Sequence, residues 1–167
     1  LPASALAASL AEYDAFYDAL GALFTELLAT HARLLVLDLH SYNHRREGPD
    51  GPQADTAENP QINVGTETLP KRSRFARVID AFIETLAGLP FPTGPMDVRE
   101  NVKFKGGQLA RWAHATFPDR VCVLSVELKK VFMDEWTDIP DPHLLAALRD
   151  ALAVSTGAGL AALKGVD

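Results

Sequence analysis

Residues 33–42, Arg-Leu-Leu-Val-Leu-Asp-Leu-His-Ser-Tyr, decide the fold. The run from Arg33 to Leu39 is short, almost wholly apolar and set between a helical pattern and a polar loop. That context predicts a strand buried on both faces, as in a parallel sheet. A second run, Val-Cys-Val-Leu-Ser-Val-Glu-Leu over 121–128, predicts another buried strand. Before the first run, Leu6, Leu10, Tyr13, Tyr17, Leu20, Phe24 and Leu27 alternate in fours and threes. They predict one face of a helix covering a sheet, with Glu12, Asp14, Asp18 and Glu26 off the stripe. Between the strands, Ile62 to Val64 reads as a brief strand. Ser73 is placed to cap a helix carrying Phe75, Val78, Ile79, Phe82, Ile83 and Leu86, which Gly88 and Pro90 end.

Asp97 to Phe104 is strand-like, and Gly106-Gly107 opens a helix with Leu109, Trp112, Ala113 and Phe117 on it. Asp141-Pro142 starts the last helix as N-cap and first helical residue, with Leu145, Leu148 and Leu152 on one face. Helices alternating with strands imply an α/β fold: a mixed, largely parallel sheet flanked by helices, in a single domain over residues 1–167.

The formal net charge of −6 argues against nucleic acid and anionic membrane as partners, because neither attracts an acidic surface. The one cysteine, Cys122, excludes an intramolecular disulfide and a cysteine-built metal site. It reads as a buried small hydrophobe, and a reducing cytoplasm fits it. No stretch approaches the roughly 20 uninterrupted apolar residues of a membrane span. The start, Leu-Pro-Ala-Ser-Ala-Leu, has no initiator methionine and no basic n-region, so it is expected to begin partway through a longer, here truncated, chain.

Ligands of open α/β sheets bind beyond the carboxyl ends of the strands. The first strand candidate ends in Asp38-Leu39-His40, the second in Glu127 and two lysines. His40 has the chemistry to ligate a metal or move protons, or simply to hydrogen-bond at the sheet edge. Glu127 follows six apolar or small residues and needs a partner: a metal, another cation or a salt bridge to Lys129, Lys130 or an arginine. Asp38 shares a face with His40 and is placed to orient it, or to bond backbone or an arginine instead. Gly106-Gly107 before a helix, with Asn101, Lys103 and Lys105 upstream, suits a substrate carboxylate or solvated lysines equally. The loop after Tyr42, Asn43-His44-Arg45-Arg46, is basic enough to hold an anionic substrate over the site. Ser41 lacks a G-x-S-x-G elbow, and His31, His114 and His143 default to the surface.

Four blocks carry a family resemblance. Asp38-Leu-His-Ser-Tyr-Asn43, Gly65-Thr66, Asn101-Val-Lys-Phe-Lys-Gly-Gly107 and Val126-Glu-Leu-Lys-Lys-Val-Phe-Met133 stand in the order seen in N-formylglutamate amidohydrolases, relatives of the metallocarboxypeptidases. The chain resembles that family from about residue 10 to about 150. The resemblance implies a zinc exopeptidase-like fold and hydrolysis of an amide beside a carboxylate. By it, His40 is a zinc ligand and Glu127 the general base or acid, with Asp38 behind His40. Asn101, Lys103, the Gly106 and Gly107 backbone and Arg45 would hold a small anionic N-acyl amino acid or peptide. Zinc would lower the pKa of bound water to about 7 and polarise the carbonyl.

The family's first two zinc ligands form a histidine-acidic pair three residues apart, and no H-x-x-E or H-x-x-H precedes His40. Lys103 stands where proline is common, as in a less characterised bacterial branch, so formylglutamate itself need not be the substrate. The sequence therefore supports two functions: a zinc amidohydrolase incomplete in this chain, or a non-catalytic anion-binding or regulatory domain. Loss of an N-terminal segment would expose a sheet edge or a core face, which predicts a homodimer or a bound complementary N-terminal fragment.

Overall fold

The computed structural model describes residues 2–45 and 47–166, so Arg46 of the basic loop lies outside the described residues. The chain forms two compact units, one ending at Leu34 and the other beginning at Leu35. The first is one helix, α1 (Ala3–Thr30), as the fours-and-threes spacing predicts. Along it the Tyr13 and Tyr17 rings lie 4.6 Å apart and Phe16 meets Tyr17 edge-on at 5.2 Å. Leu6, Leu10 and Phe16 are exposed.

The second unit is built on four strands, β1 (Leu34–Tyr42), β2 (Ile62–Gly65), β3 (Val98–Glu100) and β4 (Val121–Lys129), ordered β1-β4-β2-β3. β2 pairs in parallel with β3 and antiparallel with β4, setting Asn63 opposite both Arg99 and Glu127. β1 and β4 end side by side, with Lys130 N–H donating to Tyr42 O at 3.0 Å. Four residues earlier on β1, Asp38 Oδ2 accepts from Ser125 Oγ at 3.4 Å, so these two strands run the same way. The result is the expected mixed, largely parallel α/β sheet.

Alternation along β4 makes the core. Cys122, Leu124 and Val126 point to one face and pack with Ile62 and Val64 of β2 against α2 (Ala76–Gly88) and α4 (Pro142–Leu163). From α2 come Val78, Ile79, Phe82 and Leu86, all fully buried, and from α4 Leu148 and Ala151. Gly159 lets α4 approach closely, since a Cβ there would lie 3.0 Å from Leu35 and 3.8 Å from Val78. α3 (Gln108–Thr116) packs on β4.

Several local expectations change. β1 is half-buried and not buried on both faces, because it is an edge strand with a sheet neighbour on one side only; Leu39 and His40 are exposed. Ser73 caps nothing: Arg72–Phe75 form a 3₁₀ turn and α2 begins at Ala76. Arg72 holds that turn, donating to both Glu100 oxygens at 2.7–2.8 Å and to Asp80 at 2.7 Å. The strand after Asp97 stops at Glu100, because Asn101 turns left-handed with φ 56°. Leu145 is exposed; the buried face of α4 is Leu148, Ala151, Ser155, Gly159 and Leu163. By length and composition α4 is also apolar enough to cross a membrane, although it is not an uninterrupted apolar run. Its apolar run is broken by Arg149 and Asp150, and its inner face lies on α2.

His114, expected on the surface, is buried. Its Nδ1 lies 3.1 Å from Thr68 Oγ1, and its Nε2 accepts from Val123 N–H at 3.1 Å. Burial holds its pKa below the ordinary histidine value. A ring nitrogen that accepts must be unprotonated, so this stabilisation is complete above about pH 6.5 and declines as pH falls through the lower folded value.

Two outcomes follow in urea unfolding. Phe82→Ala should cost about 3–5 kcal/mol, whereas Ser73→Ala should stay within about 0.5 kcal/mol. Stability of His114→Gln should fall less steeply than that of the parent between about pH 7 and pH 5.

Candidate functional site

The sheet face opposite the α2–α4 core is polar. Alternation brings Asp38, His40 and Tyr42 of β1, Ser125, Glu127 and Lys129 of β4, and Asn63 of β2 to it. Asp38 is nearly buried at 11 % side-chain exposure, and His40 is open at 52 %. Asp38 Oδ1 bonds His40 Nε2 at 2.8 Å, so the orienting contact that the spacing allows is made. His40 Nδ1 is left as the ring nitrogen without a partner among the described residues.

Glu127 lies half-buried on the adjacent strand and makes no hydrogen bond or ion pair among the described residues. Of the alternatives the sequence left open, the salt bridge to Lys129, Lys130 or an arginine is not made among the described residues. The buried Lys129 donates to Asn59 O at 3.4 Å, and Lys130 lines a separate cleft. Burial pushes the Glu127 pKa above the usual carboxylate range; a charged His40 opposes this and Asp38 adds to it. Burial also lowers the pKa of Lys129, and it raises that of Tyr42 to about 12, with the charge on Asp97 adding to the latter.

The other expected binding residues split between scaffold and surface. Asn101 uses both ends of its amide on Thr66, accepting its N–H at 2.8 Å and donating to Oγ1 at 2.9 Å. Lys103 donates to the Asn59 side chain and sits over the Tyr42 ring at 5.5 Å. Its N–H is taken by Asn63 Oδ1 at 2.9 Å. Gly106 has φ 120°, and a Cβ on it would lie 2.9 Å from Thr68. A Cβ on Gly65 would reach 2.6 Å from Gly106 N, so the two glycines let the chain segments touch. Gly107 caps α3 and has open space beside it.

Arg45 is fixed by a residue that the sequence did not flag. The Glu135 carboxylate, 2 % exposed, accepts from His44 N–H at 3.0 Å and Arg45 N–H at 2.8 Å, and lies 3.0 Å from His44 Nδ1. Asn63 was equally unflagged, although a polar residue between Ile62 and Val64 is itself a signal. Glu135, in a polar loop, carries no such signal.

This face sets a carboxylate with a raised pKa beside an imidazole braced by a second carboxylate, groups whose chemistry includes proton transfer. Its fit to a metal is partial. Among the described residues no group of three histidine, cysteine, aspartate or glutamate side chains is arranged to hold an ion. His40 is one donor, braced as metal-bound imidazoles are, whereas a catalytic zinc takes three protein ligands.

The shared field is measurable by carboxyl ¹³C NMR titration. Asp38→Asn should move the Glu127 midpoint down, and His40→Ala should move it up. A midpoint unmoved in both variants would show that the three groups are not coupled.

Residues 2–133 match the family described as N-formylglutamate amidohydrolase. The fold matches the crystal structure of an N-formylglutamate amidohydrolase from Ralstonia eutropha JMP134 with a TM-score of 0.63 at 18 % identity. That match covers 92 % of this chain and 54 % of the other, so the chain spans about half the length of that protein. No match was found among curated proteins. The family match takes in Asp38, His40, Asn101 and Glu127 together, and the chain belongs to the N-formylglutamate amidohydrolase family.

Proposed function

We propose that this chain serves the hydrolysis of an amide bond in an N-acyl amino acid, such as an N-formyl one, or a small peptide, with Glu127 moving the proton. The observation that carries this reading is the half-buried Glu127, without a hydrogen bond or ion pair among the described residues, beside the Asp38–His40 pair on one sheet face. A carboxylate left without a partner in partial burial costs stability, and active sites are where such groups persist. With its pKa raised, Glu127 is a better base for an attacking water and a better acid toward the leaving amine. Asp38 holds the His40 ring through Nε2 and leaves Nδ1 for a ligand. His40 is this chain's donor for the zinc that the family reading implies, and the further donors lie outside this cluster.

Asn101 supports the site indirectly, by setting the Thr66 backbone. Lys103 and the Gly106-Gly107 segment lie next to it in the chain, and a substrate carboxylate would be held from there. Ser41 alternates to the other face of β1 from His40, so a serine nucleophile using that base finds no support. A non-catalytic anion-binding domain is the second reading, favoured by the incomplete donor set.

Two measurements separate these readings. Glu127→Gln should lower kcat for formate release from N-formyl amino acids by about 10²–10⁴ with KM little changed. In native mass spectrometry a zinc adduct of the parent should disappear in His40→Ala. A metal-free parent without hydrolysis would favour the anion-binding reading.

A further inference from the structure

A cavity of about 310 Å³ opens where α2 begins and α4 ends. One wall is the 3₁₀ turn and the first turn of α2, which supply Ser73, Arg74 and Arg77. The other wall is Gly165 and Val166, just past the last turn of α4. Arg74 fixes its place in the sheet, because Nη1 lies 3.6 Å from Asp119 Oδ2, two residues before β4 starts. Val121 and Glu127 are six residues apart on that strand, or about 20 Å at 3.3 Å per residue. The cavity is therefore at the far end of β4 from the polar face that carries Glu127.

The charges around this cavity are one-sided. Among the described residues no carboxylate lines it, in a chain whose formal net charge is −6. Arg74 and Arg77 stand three residues apart at the start of α2, and like charges at that spacing repel. An anion between them removes that cost. The Arg77 guanidinium and Ser73 Oγ make no hydrogen bond or ion pair among the described residues, and both side chains are exposed. The turn that carries them is nevertheless fixed. Arg72 anchors it, donating to Glu100 at 2.7–2.8 Å and to Asp80 at 2.7 Å. The backbone of the donors is thus set before a ligand arrives, which lowers the ordering cost of binding.

We propose that this cavity is a phosphate-binding site, in which the Arg74 and Arg77 guanidiniums fork onto the phosphate oxygens and Ser73 Oγ–H donates a further hydrogen bond. Two guanidiniums and a hydroxyl supply more donors than the two oxygens of one carboxylate use, and two positive charges match a phosphate dianion. The volume lies at the lower end of the roughly 300–1,000 Å³ of small-molecule pockets, so a phosphate group fits with a small organic remainder. The ligand class is free phosphate or a small phosphomonoester. Bound there, it ties the start of α2 to the end of α4. This site is separate from the amide-hydrolysing face and does not depend on that reading.

Isothermal titration calorimetry of the full chain at fixed ionic strength tests this. Inorganic phosphate and glycerol 3-phosphate should each bind saturably, and acetate should not. Tighter binding of glycerol 3-phosphate would assign the site to a phosphomonoester, and equal binding to free phosphate. Arg74→Met and Arg77→Met should each weaken binding about tenfold or more, and Arg77→Lys, which keeps the charge without the fork, should weaken it less. Asp119 has a left-handed φ of 63°, which asparagine also tolerates. Asp119→Asn removes the charge competing for Arg74 and should tighten binding, a gain that misfolding does not imitate. Glu127→Gln should bind phosphate as the parent does, whatever becomes of its turnover. No saturable binding, equal binding of acetate, or unchanged affinity in both methionine variants would overturn the proposal. So would phosphate binding lost in Arg45→Met but kept in Arg77→Met, which would place the anion at the loop after Tyr42 instead.

Discussion

The fully buried amide of Asn63 sits at the centre of the sheet, opposite Glu127 on β4, and its hydrogen bonds tie that position to the loop leaving β3. Its Nδ2 donates to Phe104 O at 2.7 Å, and its Oδ1 accepts from Lys103 N–H at 2.9 Å. A buried amide with unmet donors or acceptors costs about 1–3 kcal/mol, so the loop is held where the amide needs it. That placement in turn requires Gly65 and Gly106, whose backbones approach too closely for a side chain on Gly65. The Gly-Thr segment and the Asn-x-x-Phe-x-Gly-Gly segment are thus two halves of one packed contact.

The same alternation that builds the core builds the site. Along β4 one set of side chains is driven inward by the apolar faces of α2 and α4. Ser125, Glu127 and Lys129 are left on the other face beside Asp38 and His40. The polar face holds a graded set of environments: Lys129 is buried, Glu127 half-buried and the His40 ring open. Such gradation gives neighbouring titratable groups different proton affinities within one small area, the condition for acid and base to act in turn.

Much of this was legible in the chain order of residues. The two strands that carry His40 and Glu127, the helix through Val78 and Phe82, and the Asp141-Pro142 helix start all follow from period and capping chemistry, which are local. The two-residue spacing of Asp38 and His40 predicted a shared face, and the structure adds the bond between them. The errors have one origin. β1 was read as buried on both faces because its sequence is apolar, and its edge position depends on which strands pair. His114 was read as a surface residue, although the Val123 amide and Thr68 hydroxyl that satisfy it come from other elements. The α2 cap was read at Ser73, and the 3₁₀ turn held by the Arg72–Glu100–Asp80 bonds sets it two residues later, at Phe75.

By itself the sequence determined the α/β class, the family and the residues able to carry the chemistry, because periodicity and motif order are properties of short segments. Only the tertiary structure decided what those residues are free to do. It committed Asn101 to Thr66, held Lys103 at Asn59, bound His40 to Asp38 and left Glu127 unpaired among the described residues. It also joined Glu135 to His44 and Arg45, 91 and 90 positions away along the chain. A side chain's partner is whatever the fold brings within about 3 Å, and that distance is not encoded in the neighbours along the chain.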